Sequence, residues 1–115
     1  MSGKKQAAVV QRQEQAAVEN PPGILRTTLS WNEQSMLCHF RMTKGARIPL
    51  HDHPAVQNGY LISGRVRFHR GAETFIAVAG TGYCFASGEQ HGAEVLEDSE
   101  AVECFTPARI EYALD

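Results

Sequence analysis

From Ile24 onward, apolar and polar residues alternate in short runs that break at glycine. Over Ser35–Thr43, Met36, Cys38, Phe40 and Met42 share one face of an extended chain, with Leu37, His39 and Arg41 on the other. Lys44-Gly45 reads as a turn. Tyr60-Leu61-Ile62 leads into a second turn at Ser63-Gly64, and Arg65–Arg70 alternates again with Val66 and Phe68 inward. Arg70-Gly71 turns into Thr74–Val78, and Ala79-Gly80-Thr81-Gly82 turns into Tyr83-Cys84-Phe85. Ala93–Leu96 and Ala101–Phe105 complete the series. Short strands with a turn about every ten residues, and no helical stripe, predict an all-β sandwich or barrel. No internal repeat is visible, which suits one barrel better than two.

Residues 1–20 break the pattern. They contain no aromatic residue and are rich in glutamine, alanine and charge, and Pro21-Pro22-Gly23 closes them off. They are expected to form a flexible arm or one weak helix ahead of a barrel spanning 21–115.

At 115 residues and 43% hydrophobic, the chain has material for one core. Its net charge of −2 includes no basic block or acidic tail, so nucleic acid is not an expected partner. The apolar run Ala7-Ala8-Val9-Val10 is too short for a signal-peptide core or a membrane span. Three cysteines, Cys38, Cys84 and Cys104, are an odd number and form no CxxC. They are expected as reduced thiols in the cytoplasm, with Cys38 and Cys104 buried in their apolar runs. A barrel of this size has a modest core, so pairing into a homodimer is expected to add burial.

The chemistry concentrates in three histidines. His51 and His53 are two apart, so an extended chain points both side chains the same way. Gln57 keeps that parity beyond Pro54, and His91 follows Gly88-Glu89-Gln90 on a turn. Two imidazoles from one strand, met by a third from a distant one, can make a facial metal site. An HxH pair alone is equally compatible with surface histidines. The flanking residues decide. Gly45, five residues, His51-Asp52-His53, three residues, Gln57, six residues and Gly64 resemble the first cupin motif, with glutamine where that family usually has glutamate. Gly80, five residues, Ala86, one residue, Gly88, two residues and His91 resemble the second, with Ala86 for the usual proline and Val95 for the usual asparagine. The resemblance implies a jelly-roll barrel holding one divalent transition metal (Zn, Ni, Fe, Mn or Co) on His51, His53, Gln57 and His91. With four neutral ligands the ion would keep its full charge, and a base would have to come from elsewhere. His39 and His69, opposite Phe40 and Phe68, are expected as solvated or edge histidines.

Glu103 lies inside the apolar run Ala-Val-Glu-Cys-Phe, on the face it shares with Phe105. Either it faces water at an edge, or it faces the lumen as a general acid/base. Arg109 is either an exposed terminal arginine or a clamp for a substrate carboxylate. Tyr60 or Phe105 is a candidate to pack on a sugar face. The stretches His51–Tyr60, Leu96-Glu97-Asp98-Ser99 and Glu103–Arg109 with Tyr112 resemble the small KdgF-like cupins. That group opens 4,5-unsaturated uronates to linear keto sugars in pectin and alginate breakdown. The resemblance implies a small-molecule substrate and catalytic roles for Glu103, Phe105 and Arg109, with glutamate replacing the group's aspartate. Two other classes fit the same ligands: an iron-dependent cupin dioxygenase, and a non-enzymatic cupin that binds a metal or small ligand.

Overall fold

The computed structural model describes residues 7–114. A single 3-10 turn at Arg12–Glu14 is followed by eight strands. These are β1 (Val18–Glu19), β2 (Ile24–Asn32), β3 (Ser35–Met42), β4 (Arg47–His51), β5 (Val56–Arg70), β6 (Glu73–Val78), β7 (Gly82–Phe85) and β8 (His91–Thr106). A short helix α1 (Ile110–Ala113) follows. Every strand pairing is antiparallel, in the order β1-β2-β3-β8-β5-β6, with β4 on β8 and β7 on β5.

The two long strands organise the molecule. The first part of β5 pairs with the end of β8 (Gln57↔Phe105, Leu61↔Ala101), and its second part pairs with the start of β8 (Val66↔Val95, Arg70↔His91). Between them the register shifts around Ser63 and Arg65. Ser63-Gly64, expected as a turn, is therefore an irregularity inside one strand. Gly64 sits at φ +97°, and a Cβ there would lie 2.1 Å from Ser99 Oγ, so only glycine fits. Ser99 Oγ in turn accepts from the Arg65 N–H at 3.1 Å. The expected strands Ala93–Leu96 and Ala101–Phe105 likewise belong to one strand, β8. Each long strand thus serves both walls and folds the sheet round a core that includes Ile24, Met36, Leu61, Val66, Phe85 and Phe105. Burying each of the larger side chains contributes about 1.5–3 kcal/mol.

The end of the expected arm lies along β2. Ala7 and Trp31 exchange two backbone hydrogen bonds, and β1 pairs Val18 with Arg26. These contacts satisfy backbone groups that an uncovered β2 edge would leave open. Residues 1–6 of the arm lie outside the described residues. No helix among the described residues is long and apolar enough to cross a membrane.

Candidate metal centre

β4 ends at His51, and its pairing with β8 sets His51 directly opposite His91. The chain leaves β4 through Asp52, and His53 enters the same space from the link to β5. Ring centroids are 4.4 Å apart for His51 and His91, 4.9 Å for His53 and His91, and 5.6 Å for His51 and His53. One nitrogen from each ring falls within 4.8 Å of the other two, so the three form a cluster able to hold a metal ion. Gln57, at the start of β5, brings its Oε1 to 3.0 Å from His53 Nε2 and 3.1 Å from His91 Nε2.

The backbone fixes which nitrogens face the cluster. His51 Nδ1 lies 2.9 Å from the Pro49 carbonyl, His53 Nδ1 2.8 Å from that of Ala55, and His91 Nδ1 2.8 Å from that of Glu89. A carbonyl only accepts, so each Nδ1 carries the proton and donates it. Each Nε2 is the nitrogen left for the cluster. Burial holds His53 below the usual imidazole range, with the nearby Arg109 charge acting in the same direction, and burial brings His91 down to about 4. Both rings are neutral near pH 7. The Nε2 lone pairs of His53 and His91 therefore meet the Oε1 lone pairs of Gln57 with no proton to share. A cation resolves that conflict, and neutral imidazole suits divalent transition metals.

Behind Gln57 stands a second layer. Its amide Nε2 donates to Glu103 Oε1 at 2.9 Å, and the Tyr83 hydroxyl donates to Glu103 Oε2 at 2.6 Å. Glu103 is buried and points inward, and Gly59 is its cross-strand partner on β5. A Cβ at Gly59 would lie 2.4 Å from the Tyr83 ring, so the missing side chain makes room for that ring. Burial pushes the Glu103 carboxyl above its usual range, against the opposing pull of both hydrogen bonds and Arg109. Burial, and then the Glu103 charge, push the Tyr83 phenol up as well.

Of the two options the sequence left open for Glu103, the structure takes the lumen. His51, Gln57, His91, Glu103, Phe105 and Arg109 all line one cavity. Phe105 is fully buried, with its ring edge-on to His53 at 5.9 Å. Arg109 is mostly buried, its guanidinium 5.4 Å from the Phe105 centroid and 4.2 Å from that of Tyr112. Its Nη1 donates to the Tyr112 hydroxyl at 2.8 Å, and both Nε and Nη2 lie 3.0 Å from Oε2 of the exposed Glu111.

Tyr60 is not brought to this cavity. It is half exposed on the outer face, because its parity is opposite to that of Gln57 and Gly59. His39 is a correction of another kind. It lies on the outer face as expected, yet it is buried and bonded to Glu100 from β8 rather than solvated. His69 is partly exposed and donates to Glu94 at 3.2 Å. Cys38 is buried, Cys104 is half-buried and Cys84 is exposed, and all three are free thiols. The residue that sequence reasoning missed is Tyr83. The signal was present: a tyrosine on the core face needs an acceptor, and a glutamate in an apolar run needs donors.

No functionally curated protein sequence matches the chain. Among solved structures it is similar to KdgF from a Halomonas species, at 24% identity and TM-score 0.84 over 90% of this chain and 98% of that one. It is also similar to an RmlC-like cupin from Shewanella frigidimarina, at 20% identity and TM-score 0.85 over 97% and 99%. A third likeness is to a predicted oxalate decarboxylase from Thermotoga maritima, at 21% identity and TM-score 0.73 over 87% and 99%. These likenesses are of fold. The Cupin domain family model matches residues 38–106, which include every histidine of the cluster and both long strands in full. With most of the chain under that match and the barrel to go with it, the chain belongs to the cupin family.

Proposed function

We propose that the chain is a metal-dependent enzyme that opens a small carboxylated, hydroxylated sugar of the 4,5-unsaturated uronate class. The observation that supports this reading is the convergence of three kinds of chemistry on one cavity: the histidine cluster with Gln57, the Glu103 carboxyl and the Arg109 guanidinium. His51, His53, Gln57 and His91 would hold one divalent ion of the Zn, Ni, Fe, Mn or Co type. Such an ion, when bound, supplies Lewis-acid polarisation of a hydroxyl or carbonyl oxygen.

The remaining work falls to side chains of this chain. Arg109 holds the substrate carboxylate on the edge that Glu111 occupies in the free protein, and Glu111, being exposed, can give way. Phe105 supplies a rigid apolar surface beside His53. Opening the ring breaks the bond between the anomeric carbon and the ring oxygen. The anomeric hydroxyl loses a proton and the ring carbon at position 4 gains one, so the reaction is an isomerisation and needs no oxidant. Glu103 is the carboxyl in the cavity able to carry that proton. The fold likeness to KdgF and the Glu103, Phe105, Arg109 tail spacing support the same reading.

The test follows the ultraviolet absorbance of an unsaturated uronate monosaccharide. Metal-loaded protein is expected to deplete it faster than buffer, and chelator is expected to abolish the gain. Equal rates in all three would overturn the reading.

A further inference from the structure

Arg70 and Glu89 lie outside the ligand set and the cavity, yet each is tied to the turn that presents His91. Arg70 ends the long strand β5, with His91 as its cross-strand partner. Its Nη2 donates to the Cys84 carbonyl at 2.7 Å, which fastens it to β7. Its Nε lies 3.0 Å from Glu89 Oε2, an ion pair by distance whose N–H is not aligned for a hydrogen bond. The other oxygen of Glu89 accepts the Ala86 N–H at 2.8 Å, so this one carboxylate spans the turn from its first residue to its fourth.

That turn reaches two histidines of the cluster. The Glu89 carbonyl accepts the Nδ1 proton of His91, and the Gly88 N–H donates to the His53 carbonyl at 2.9 Å. Phe85, just before the turn, stacks on the His91 imidazole with centroids 4.5 Å apart and planes within 6°. The Arg70 guanidinium lies 5.9 Å from the centroid of that same phenyl ring.

We infer that Arg70 and Glu89 form a positioning clamp that sets the metal affinity of the cluster without touching the metal. The inference rests on the metal reading above. Both side chains of the clamp are partly exposed, so the ion pair itself adds little to folding stability. Its effect is geometric: it holds the carbonyl that fixes the His91 tautomer and the direction of its lone pair. The Glu89 carbonyl bonds a ligand ring directly, and partners in that position typically govern affinity by about 10–100-fold; the clamp acts by holding that carbonyl in place.

The experiment measures Zn2+ affinity of the full-length protein by competition with a chromophoric chelator, together with the visible spectrum of the Co2+-loaded form. Arg70→Met is expected to weaken Zn2+ binding about tenfold or more and to shift the Co2+ bands. Arg70→Lys, which keeps a cation beside Glu89, is expected to recover part of the affinity. Glu89→Gln, which keeps an acceptor for the Ala86 N–H, is expected to fall between the unaltered protein and Arg70→Met. Arg67→Met, on the same strand but paired with Glu94, is expected to bind Zn2+ normally. Unaltered affinity and unaltered Co2+ bands in both Arg70→Met and Glu89→Gln would overturn the clamp alone. Absence of Zn2+ uptake by the unaltered protein would instead overturn the metal reading, and the clamp with it. Circular dichroism of each metal-free variant separates a lost fold from a lost clamp, and Glu89→Gln alone decides the matter if Arg70→Met does not fold.

Discussion

Gln57 donates its amide proton to Glu103 across 2.9 Å, and that bond decides which end of the amide meets the histidines. Glu103 accepts on both oxygens, from Gln57 and from Tyr83, so the amide nitrogen is drawn toward it and the amide oxygen is turned to His53 and His91. The Gln57 oxygen that meets the cluster is that of a neutral amide. The carboxyl of the site stands behind that amide, on the partner strand.

Exchanging those two functions gives the first prediction. Gln57→Glu would set two buried carboxylates within hydrogen-bonding distance, and such a pair keeps one proton between them. The folded-state pKa of one group then rises, so stability is present at low pH and lost as pH rises through that value. Unfolding by urea in the presence of chelator should show a loss of about 1–3 kcal/mol at pH 8, shrinking toward pH 5. The double variant Gln57→Glu with Glu103→Gln should recover most of it. Equal losses at both pH values would contradict the arrangement.

Metal addition should stabilise the fold through the same atoms. At an ion concentration one hundred times its dissociation constant, the gain is about 2.7 kcal/mol. Thermal melting with and without Zn2+ should show a rise of several degrees, reversed by chelator. His91→Ala should melt at one temperature under both conditions. A metal response that survives in His91→Ala would move the binding site elsewhere.

Much of this site could be read from spacing. Glu103 shares parity with Phe105 and Gln57 with Gly59, so strand geometry aims both inward; His51 and His53 also share parity, but only His51 lies on a strand and the link to β5 places His53. The same rule, applied from Gln57, puts Tyr60 outside, and the expectation of a sugar contact there ignored it. His39 could not be read this way. Its burial depends on Glu100, which lies 61 positions along the chain and arrives beside it only through β3–β8 pairing. Ser63-Gly64 carries a genuine turn signal, and it misled because a glycine at positive φ serves a bulge as well as a turn. For Tyr83 the sequence carried the need for an acceptor but not its identity, since Glu103 comes from another strand.

Tyr83 and Gly59 should prove coupled. Tyr83→Phe removes a donor from a buried carboxylate and should cost about 1–3 kcal/mol. Gly59→Ala would force the ring away from its 2.4 Å approach and should cost a similar amount by overpacking. Because displacement of the ring breaks the same hydrogen bond, the double variant should lose clearly less than the sum. Urea unfolding of the four proteins checks this, and strict additivity would show that the ring and the glycine act independently.

The cysteines should separate by reactivity. Burial pushes the Cys38 thiol up to about 12, from an ordinary value of 9.0, whereas Cys84 is exposed. At pH 8 a thiol-disulfide reagent should modify Cys84 quickly and Cys38 only after unfolding. The unfolded chain gives up the Cys38 proton near pH 9.0 and the folded chain does not, so this thiol's contribution to stability is lost as pH rises from there toward 12. Mass spectrometry of timed samples reads the first effect. Rapid labelling of native Cys38 would refute the burial.

The three imidazoles are oriented by carbonyls of Pro49, Ala55 and Glu89, and a carbonyl is the one acceptor that every residue type supplies. Substitution at 49 or 55 can therefore change the side chain and leave the lone pairs of His51 and His53 where they are. His91 is different, because the residue that orients it also spans the turn with its side chain. Sequence drift should reach the metal centre first through position 89.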